Sequence, residues 1–265
     1  MSGISSNTIT RSGVGKSINA FRPPLINPFI NSSLKWHVKA FGEGYSKSDL
    51  FDVSESDLVK EWKTINGTSG NAIQLIEAKQ PLYIESSANG KPAIRFDKID
   101  DFLEAIVNIT GTKITAFFVG SRISVSGNTS NYTTYNTANS NDFQFTDSFV
   151  PGFEAGPGNI LGAVRNGLKA STSNPGNNTP YVYTVKFDGT NNTVYLNGVA
   201  STPVASTGNF DINRVLLGVR FIGSTQANFA NVDIQEIIIY DIDFNDADRI
   251  KMESEYLSVQ WEDIT

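Results

Sequence analysis

From residue 34 onward the chain is a succession of short apolar runs divided by Gly, Asn, Asp, Ser and Pro. Runs fall at 34–40, 73–76, 94–96, 102–107, 114–122, 143–145, 181–187, 193–196, 215–219 and 232–240. Such spacing predicts strands joined by turns. In 181–187 the odd positions Tyr181, Tyr183, Val185 and Phe187 share one face, while Thr184 and Lys186 lie on the other. That period of two marks a half-buried antiparallel strand. The continuous Ile237-Ile238-Ile239 instead suits a central strand covered on both faces. One helix is predicted at 245–257: Asn245 is an N-cap, Asp246 and Asp248 complement the helix dipole, and Ile250, Met252, Tyr256 and Leu257 supply an apolar stripe. Trp261 follows as a core anchor. The expectation is an all-β chain with one C-terminal α-helix.

Composition narrows the function. The 265 residues suffice for one large β-domain. Net charge is −6 with no basic stripe, so nucleic acid is not an expected partner. There is no cysteine, which excludes disulfides, thiolate metal sites and Cys nucleophiles, and leans away from a secreted eukaryotic setting. The opening residues lack a basic segment followed by an apolar one, so no signal peptide is read, and no run is long enough to span a membrane. The sequons Asn66-Gly-Thr68 and Asn108-Ile-Thr110 then reflect general Asn and Thr richness.

Residues 1–33 differ from the rest. Pro23, Pro24 and Pro28 interrupt regular structure, yet Phe21, Leu25, Ile26, Phe29 and Ile30 are too apolar for an inert linker. The segment is either a leader packing loosely on its own domain or an extended N-terminal arm docking on a neighbouring subunit through Phe21, Leu25 and Phe29. Prolines favour an arm, since a pre-extended chain loses less entropy on ordering.

Several motifs recur in a set order. Leu34-Lys-Trp-His-Val-Lys-Ala40 opens the series, and Val59-Lys-Glu-Trp62 follows. Gly70-Asn-Ala72 and Gln80-Pro-Leu-Tyr83 come next, then Gly90-Lys-Pro-Ala-Ile-Arg-Phe-Asp97 with Asp100-Asp-Phe102, and Phe187-Asp-Gly-Thr-Asn-Asn-Thr-Val-Tyr-Leu-Asn-Gly198. The strand at 232–240, the capped helix and Trp261 close it. In this order they resemble the concanavalin A-like, laminin-G-type jelly-roll superfamily, of the kind found in bacteriophage structural proteins and bacterial surface proteins. The resemblance covers residues 34–265 and leaves 1–33 as the arm. It implies a two-sheet antiparallel jelly-roll sandwich whose loops hold glycans or partner proteins. Residues 124–170 depart from the minimal pattern and read as elongated loops, where individual function resides.

Candidate chemistry is sparse. A retaining glycosidase needs two carboxylates about 5 Å apart. The nearest pair, Asp233 and Glu236, is three residues apart and on a regular strand would face opposite ways. His37, the only histidine, reads as a strand residue. Gly13-Val-Gly-Lys-Ser17 lacks the first glycine of a phosphate loop, which would stand at Thr10. Asp241-Ile-Asp-Phe-Asn-Asp246 lacks the glycine and glutamate of a calcium loop. Asp97, Asp100 and Asp101 are candidate calcium ligands or a solvated turn; no other cofactor is expected. Tyr132, Tyr135, Asn139, Asn141, Asp142 and Phe143 gather ring faces, amides and a carboxylate, the groups that hold a sugar. The site residues taken forward are Tyr132, Tyr135, Asn141 and Asp142, with an edge-strand or subunit-contact role as the alternative.

The expected function is a non-catalytic virion surface protein, a capsid decoration or fibre-type subunit in an oligomeric assembly, held to other virion subunits by its arm, with surface glycans as a candidate further partner. The alternative is a carbohydrate-binding or adhesion module of a bacterial surface protein; a glycoside hydrolase is least favoured.

Overall fold

Two antiparallel sheets account for the core of the computed structural model, which describes residues 29, 31–124, 127–154, 160–261 and 264. The larger has ten strands. Its main path runs Val199–Ala200, Asn191–Leu196, Pro180–Phe187, Ile114–Ser124, Asn231–Tyr240, Leu34–Lys39 and Asn66–Gly67. The strand predicted at 181–187 forms one of its ladders, pairing Pro180–Phe187 with Ile114–Ser124 without a register shift. It is buried on both faces through Val185 rather than half-buried, Thr184 lying against Glu253 of the C-terminal helix. Asn231–Tyr240 is central, as its isoleucine run required. One side pairs with Ile114–Ser124; the other forks, Ala93–Asp97 taking 231–234 and Leu34–Lys39 taking 236–240.

The smaller sheet runs Tyr132–Tyr135, Phe210–Leu217, Leu103–Gly111, Ala72–Ile73, Val59–Trp62 and Phe51–Val53. In Leu103–Gly111 the residues Leu103, Ala105, Val107 and Ile109 are buried while Ile106, Asn108 and Thr110 are exposed. This sheet therefore presents one face to the core and one outward. Phe118 of the large sheet meets Tyr132 of the small one across the interior, centroids 6.4 Å apart. Each such apolar side chain removed from water contributes about 1.5–3 kcal/mol.

The helix forms where predicted, with Asn245 Oδ1 accepting the Asp248 N–H at 2.9 Å. It continues through a π segment, Lys251–Leu257, to Gln260. The wider π turns put Met252, Tyr256, Leu257 and Trp261 against the sheet, and leave Ile250, expected in the stripe, outward. A four-residue helix, Lys47–Leu50, closed by a capping box from Ser46, was not anticipated.

Two expectations change. Residues 143–145 form bends rather than a strand, because the Phe143 and Phe145 carbonyls accept from the Gly167 and Asn166 N–H groups of a neighbouring turn. The 124–170 region is not merely loops: it adds the edge strand Tyr132–Tyr135 and a three-stranded sheet, Val150–Glu154, Leu161–Arg165 and Leu168–Ser171. Of the proposed arm residues, Phe21 and Leu25 lie outside the described residues. Phe29 packs on its own domain, its ring 5.0 Å from Phe244 and beneath the Lys251 ammonium.

Candidate functional site

A β-hairpin, Arg220–Ile222 with Thr225–Ala227, stands over the outer side of the small sheet. Its two-residue turn, Gly223-Ser224, has both φ near +62°, the conformation whose twist matches a right-handed hairpin. Asn141 fastens that turn, its amide oxygen accepting the Gly223 N–H at 3.0 Å. Asp142 fastens its root. The Asp142 carboxylate is fully buried and accepts from Arg220 Nη2 at 2.7 Å, Arg220 Nε at 3.3 Å, the Phe221 N–H at 2.9 Å and the Thr133 hydroxyl at 3.0 Å. Four donors around one carboxylate repay its desolvation.

Tyr135 lies under the same hairpin. Its ring stacks on Phe221 with centroids 4.1 Å apart, and its hydroxyl donates to Glu104 at 2.5 Å. Burial, with Glu104 beside it, pushes this phenol well above the usual tyrosine range. Tyr132 points the other way, into the core, where burial alone raises its pKa. Two residues three apart on a strand must diverge in this way. The four residues expected to touch a sugar therefore do not form a platform: Tyr132 and Asp142 are buried, Tyr135 is covered, and Asn141 braces the turn. Asn141 and Asp142 instead hold in place the hairpin that walls an adjacent cleft.

That cleft, about 460 Å³, opens between the hairpin and the three-stranded sheet. Phe143, Val164, Lys169, Arg220, Asn128 and Asn228 line it. Asn128 and Asn228 both adopt left-handed backbone, which Asn tolerates, and the Asn128 carbonyl accepts from Arg220 Nη1 at 3.2 Å and Asn228 Nδ2 at 3.4 Å. The Arg220 guanidinium lies 5.1 Å from the centre of the half-buried Phe143 ring. Burial lowers the Lys169 pKa. One ring, one aliphatic wall, amides and cationic donors suit a ligand with apolar faces edged by hydroxyls. Phe143 belonged to the aromatic and amide cluster singled out in the sequence. Asn128, Lys169, Arg220 and Asn228 had no local signal, because only the fold brings them together.

The carboxylate pair also departs from expectation. A bulge at Gln235 sets Asp233 opposite Ser121 and Glu236 opposite Val119, which places both on the same face rather than on opposite ones. Each is nevertheless committed elsewhere. Asp233 binds Arg95 through both oxygens at 2.8 and 2.9 Å and accepts from Ser87. Glu236, fully buried beneath the C-terminal helix, binds His37, Tyr256 and Trp261.

Asp97, Asp100 and Asp101 bring carboxylate oxygens within 4.8 Å of one another, and form the one such acidic or His cluster among the described residues. The Asp97 carboxylate accepts the Ile99 N–H at 2.8 Å, as in a plain turn. Asp101 is nearly buried, and its carboxyl is pushed up to about 7 by burial and then by neighbouring Asp97. Because this folded value exceeds the unfolded one of about 3.9, the protonated form favours folding. That contribution is complete below pH about 4 and is lost as pH rises through about 7. Asp101→Asn is thus expected to raise stability by about 1–2 kcal/mol at pH 8 and to change it little at pH 4. Urea denaturation at the two pH values checks this; equal effects at both would refute it.

No protein-family model matches the sequence, and no curated protein sequence does. Among solved structures, the chain is similar to domain 4 of AbnA, a GH43 extracellular arabinanase from Geobacillus stearothermophilus, in complex with arabinotriose. The TM-score is 0.51 at 12% identity, over 84% of this chain and 98% of that one. Trypanosoma rangeli sialidase gives 0.49 at 11% identity over 86% of this chain and 33% of its own, so the chain spans about a third of that enzyme's length. The CBM40 of Ruminococcus gnavus IT-sialidase, bound to α2,3-sialyllactose, gives 0.42 at 15% identity over 56% of this chain and 82% of that one. At these identities the likeness shows the β-sandwich fold alone. Among the described residues, no helix is long and apolar enough to cross a membrane.

Proposed function

We propose that this chain is a non-catalytic glycan-binding module whose site is the cleft between the hairpin and the three-stranded sheet. The observation that carries the reading is Phe143, a half-buried ring set among Asn128, Asn228, Lys169 and Arg220 in a cavity of about 460 Å³. Stacking on an apolar sugar face plus hydrogen bonds to its hydroxyls is the chemistry this lining offers. That a domain of similar fold is known with arabinotriose supports oligosaccharides as the ligand class. The non-catalytic part rests on Asp233 and Glu236, whose oxygens are occupied by internal partners.

The test is a glycan array followed by calorimetry, with arabinotriose as the first probe. Phe143→Ala is expected to weaken binding at least about tenfold while stability moves by less than about 1 kcal/mol. Phe143→Leu, which keeps apolar bulk and removes the ring, is expected to fall in between. Absence of binding to every glycan, or binding that both variants leave unchanged, removes the proposal.

A virion surface is the setting we take forward for this module. Residues 1–28 carry three basic and no acidic side chains, whereas the whole chain is at −6. A basic, proline-bearing segment suits docking on an acidic partner subunit. Deletion of residues 1–28 is then expected to release the domain from its particle, and retention would reject the arm.

A further inference from the structure

Beyond the cleft, the outward face of the small sheet carries a second feature. Ile106 projects from the middle of Leu103–Gly111 and is 64% exposed between buried Ala105 and Val107. Ile73 on the adjacent strand, and Leu75 and Ile76 just after it, stand beside it, Leu75 76% exposed. With Phe102 they line a groove of about 590 Å³. Isolated exposed aliphatics are ordinary on a protein surface, but a contiguous group around a groove marks an interaction surface.

The border of this groove indicates its occupant. Glu104 and Arg214 sit on it as a pair, Arg214 Nε 3.6 Å from Glu104 Oε1. The chain as a whole is at −6, so two copies repel over most approaches, whereas here acid and base cancel. A two-fold axis near Ile106 would set the Arg214 of each copy towards the Glu104 of the other, and the aliphatic groups would close on themselves. The one ring on the groove, Phe102, packs against the Tyr135 and Phe221 cluster with the Lys79 ammonium 6.0 Å from its centre, and the rest of the apolar lining is aliphatic, which favours a protein surface over a glycan. We infer that two copies of this chain pack through the outward faces of their small sheets, with Ile106 at the centre of the contact.

Sedimentation velocity of the full chain over a concentration series tests this. A concentration-dependent dimer is expected. Ile106→Asp is expected to raise its dissociation constant at least about tenfold, with the circular dichroism spectrum unchanged because the side chain already stands in water. Arg214→Glu is expected to weaken the dimer, and Arg214→Glu combined with Glu104→Lys to restore part of it. A chain that stays monomeric at every concentration overturns the inference. So does a dimer that Ile106→Asp leaves intact, since the association would then lie elsewhere. Loss of oligosaccharide binding by Ile106→Asp in a monomeric chain would also overturn it, by making this groove the sugar site.

Discussion

Replacing Glu236 by alanine is expected to cost about 3–5 kcal/mol, a large loss for a single polar substitution. Glu236 lies on the central strand with no exposed surface, and three donors from three parts of the chain converge on it. His37 Nε2 comes from the first strand at 2.6 Å, the Tyr256 hydroxyl from the helix at 2.8 Å, and Trp261 Nε1 from just beyond it at 2.6 Å. Deletion of the carboxylate strands all three in a site closed to water, and each orphaned group carries its own desolvation cost. Burial holds the nearby Lys39 ammonium below its ordinary pKa while Glu236 pulls it back up, so that cation also loses its counter-charge. Glu236→Gln keeps one acceptor oxygen but turns an N–H towards the donors, and a smaller loss of about 2–3 kcal/mol is expected. Urea denaturation gives the magnitude. Hydrogen exchange gives the location, because the helix 246–260 should lose protection ahead of the strands. A loss under about 1 kcal/mol would mean that the three donors find other partners.

How far the sequence disclosed this network differs from residue to residue. Trp261 and Tyr256 were legible as apolar anchors, since a capped amphipathic helix must lie on something. The central place of 232–240 was legible in its isoleucines. Their shared partner was not, because strand alternation counted through Gln235 sends Asp233 and Glu236 to opposite faces. A bulge leaves no mark in composition when the residue it adds is an ordinary Gln; here the fork between Ala93–Asp97 and Leu34–Lys39 occurs at Gln235, whose amide bonds to Asn89 and the Pro92 carbonyl. The candidate site was half legible. Residues 132–143 did mark the right region, since rings and amides gather there. Burial decided which of them face a ligand, and burial followed from pairing with Phe210–Leu217 and from the hairpin at 220–227, some eighty residues away in sequence.

The same distance makes Asp142 the second decisive position. Asp142→Ala is expected to lower stability by about 3–5 kcal/mol and to abolish oligosaccharide binding as well. The stability loss follows from leaving the Arg220 guanidinium, the Phe221 N–H and the Thr133 hydroxyl without their acceptor. The binding loss follows from geometry: Arg220 lines the cleft, and Asp142 holds both its guanidinium and the root of its strand in place. Phe143, the next residue, loses the cation over its ring when Arg220 moves. Asp142→Asn separates the two effects, since it preserves shape and one acceptor while removing the charge. It is expected to retain most of the fold and to bind at least about tenfold more weakly. Because the pair is buried, added salt should screen it little, and the stability loss for Asp142→Ala should be nearly the same at low and high ionic strength. Denaturation at the two salt concentrations, with calorimetric titration of arabinotriose, provides both readings. Full affinity in Asp142→Ala protein that remains folded would detach the cleft from the hairpin, and with it the assignment of the binding site.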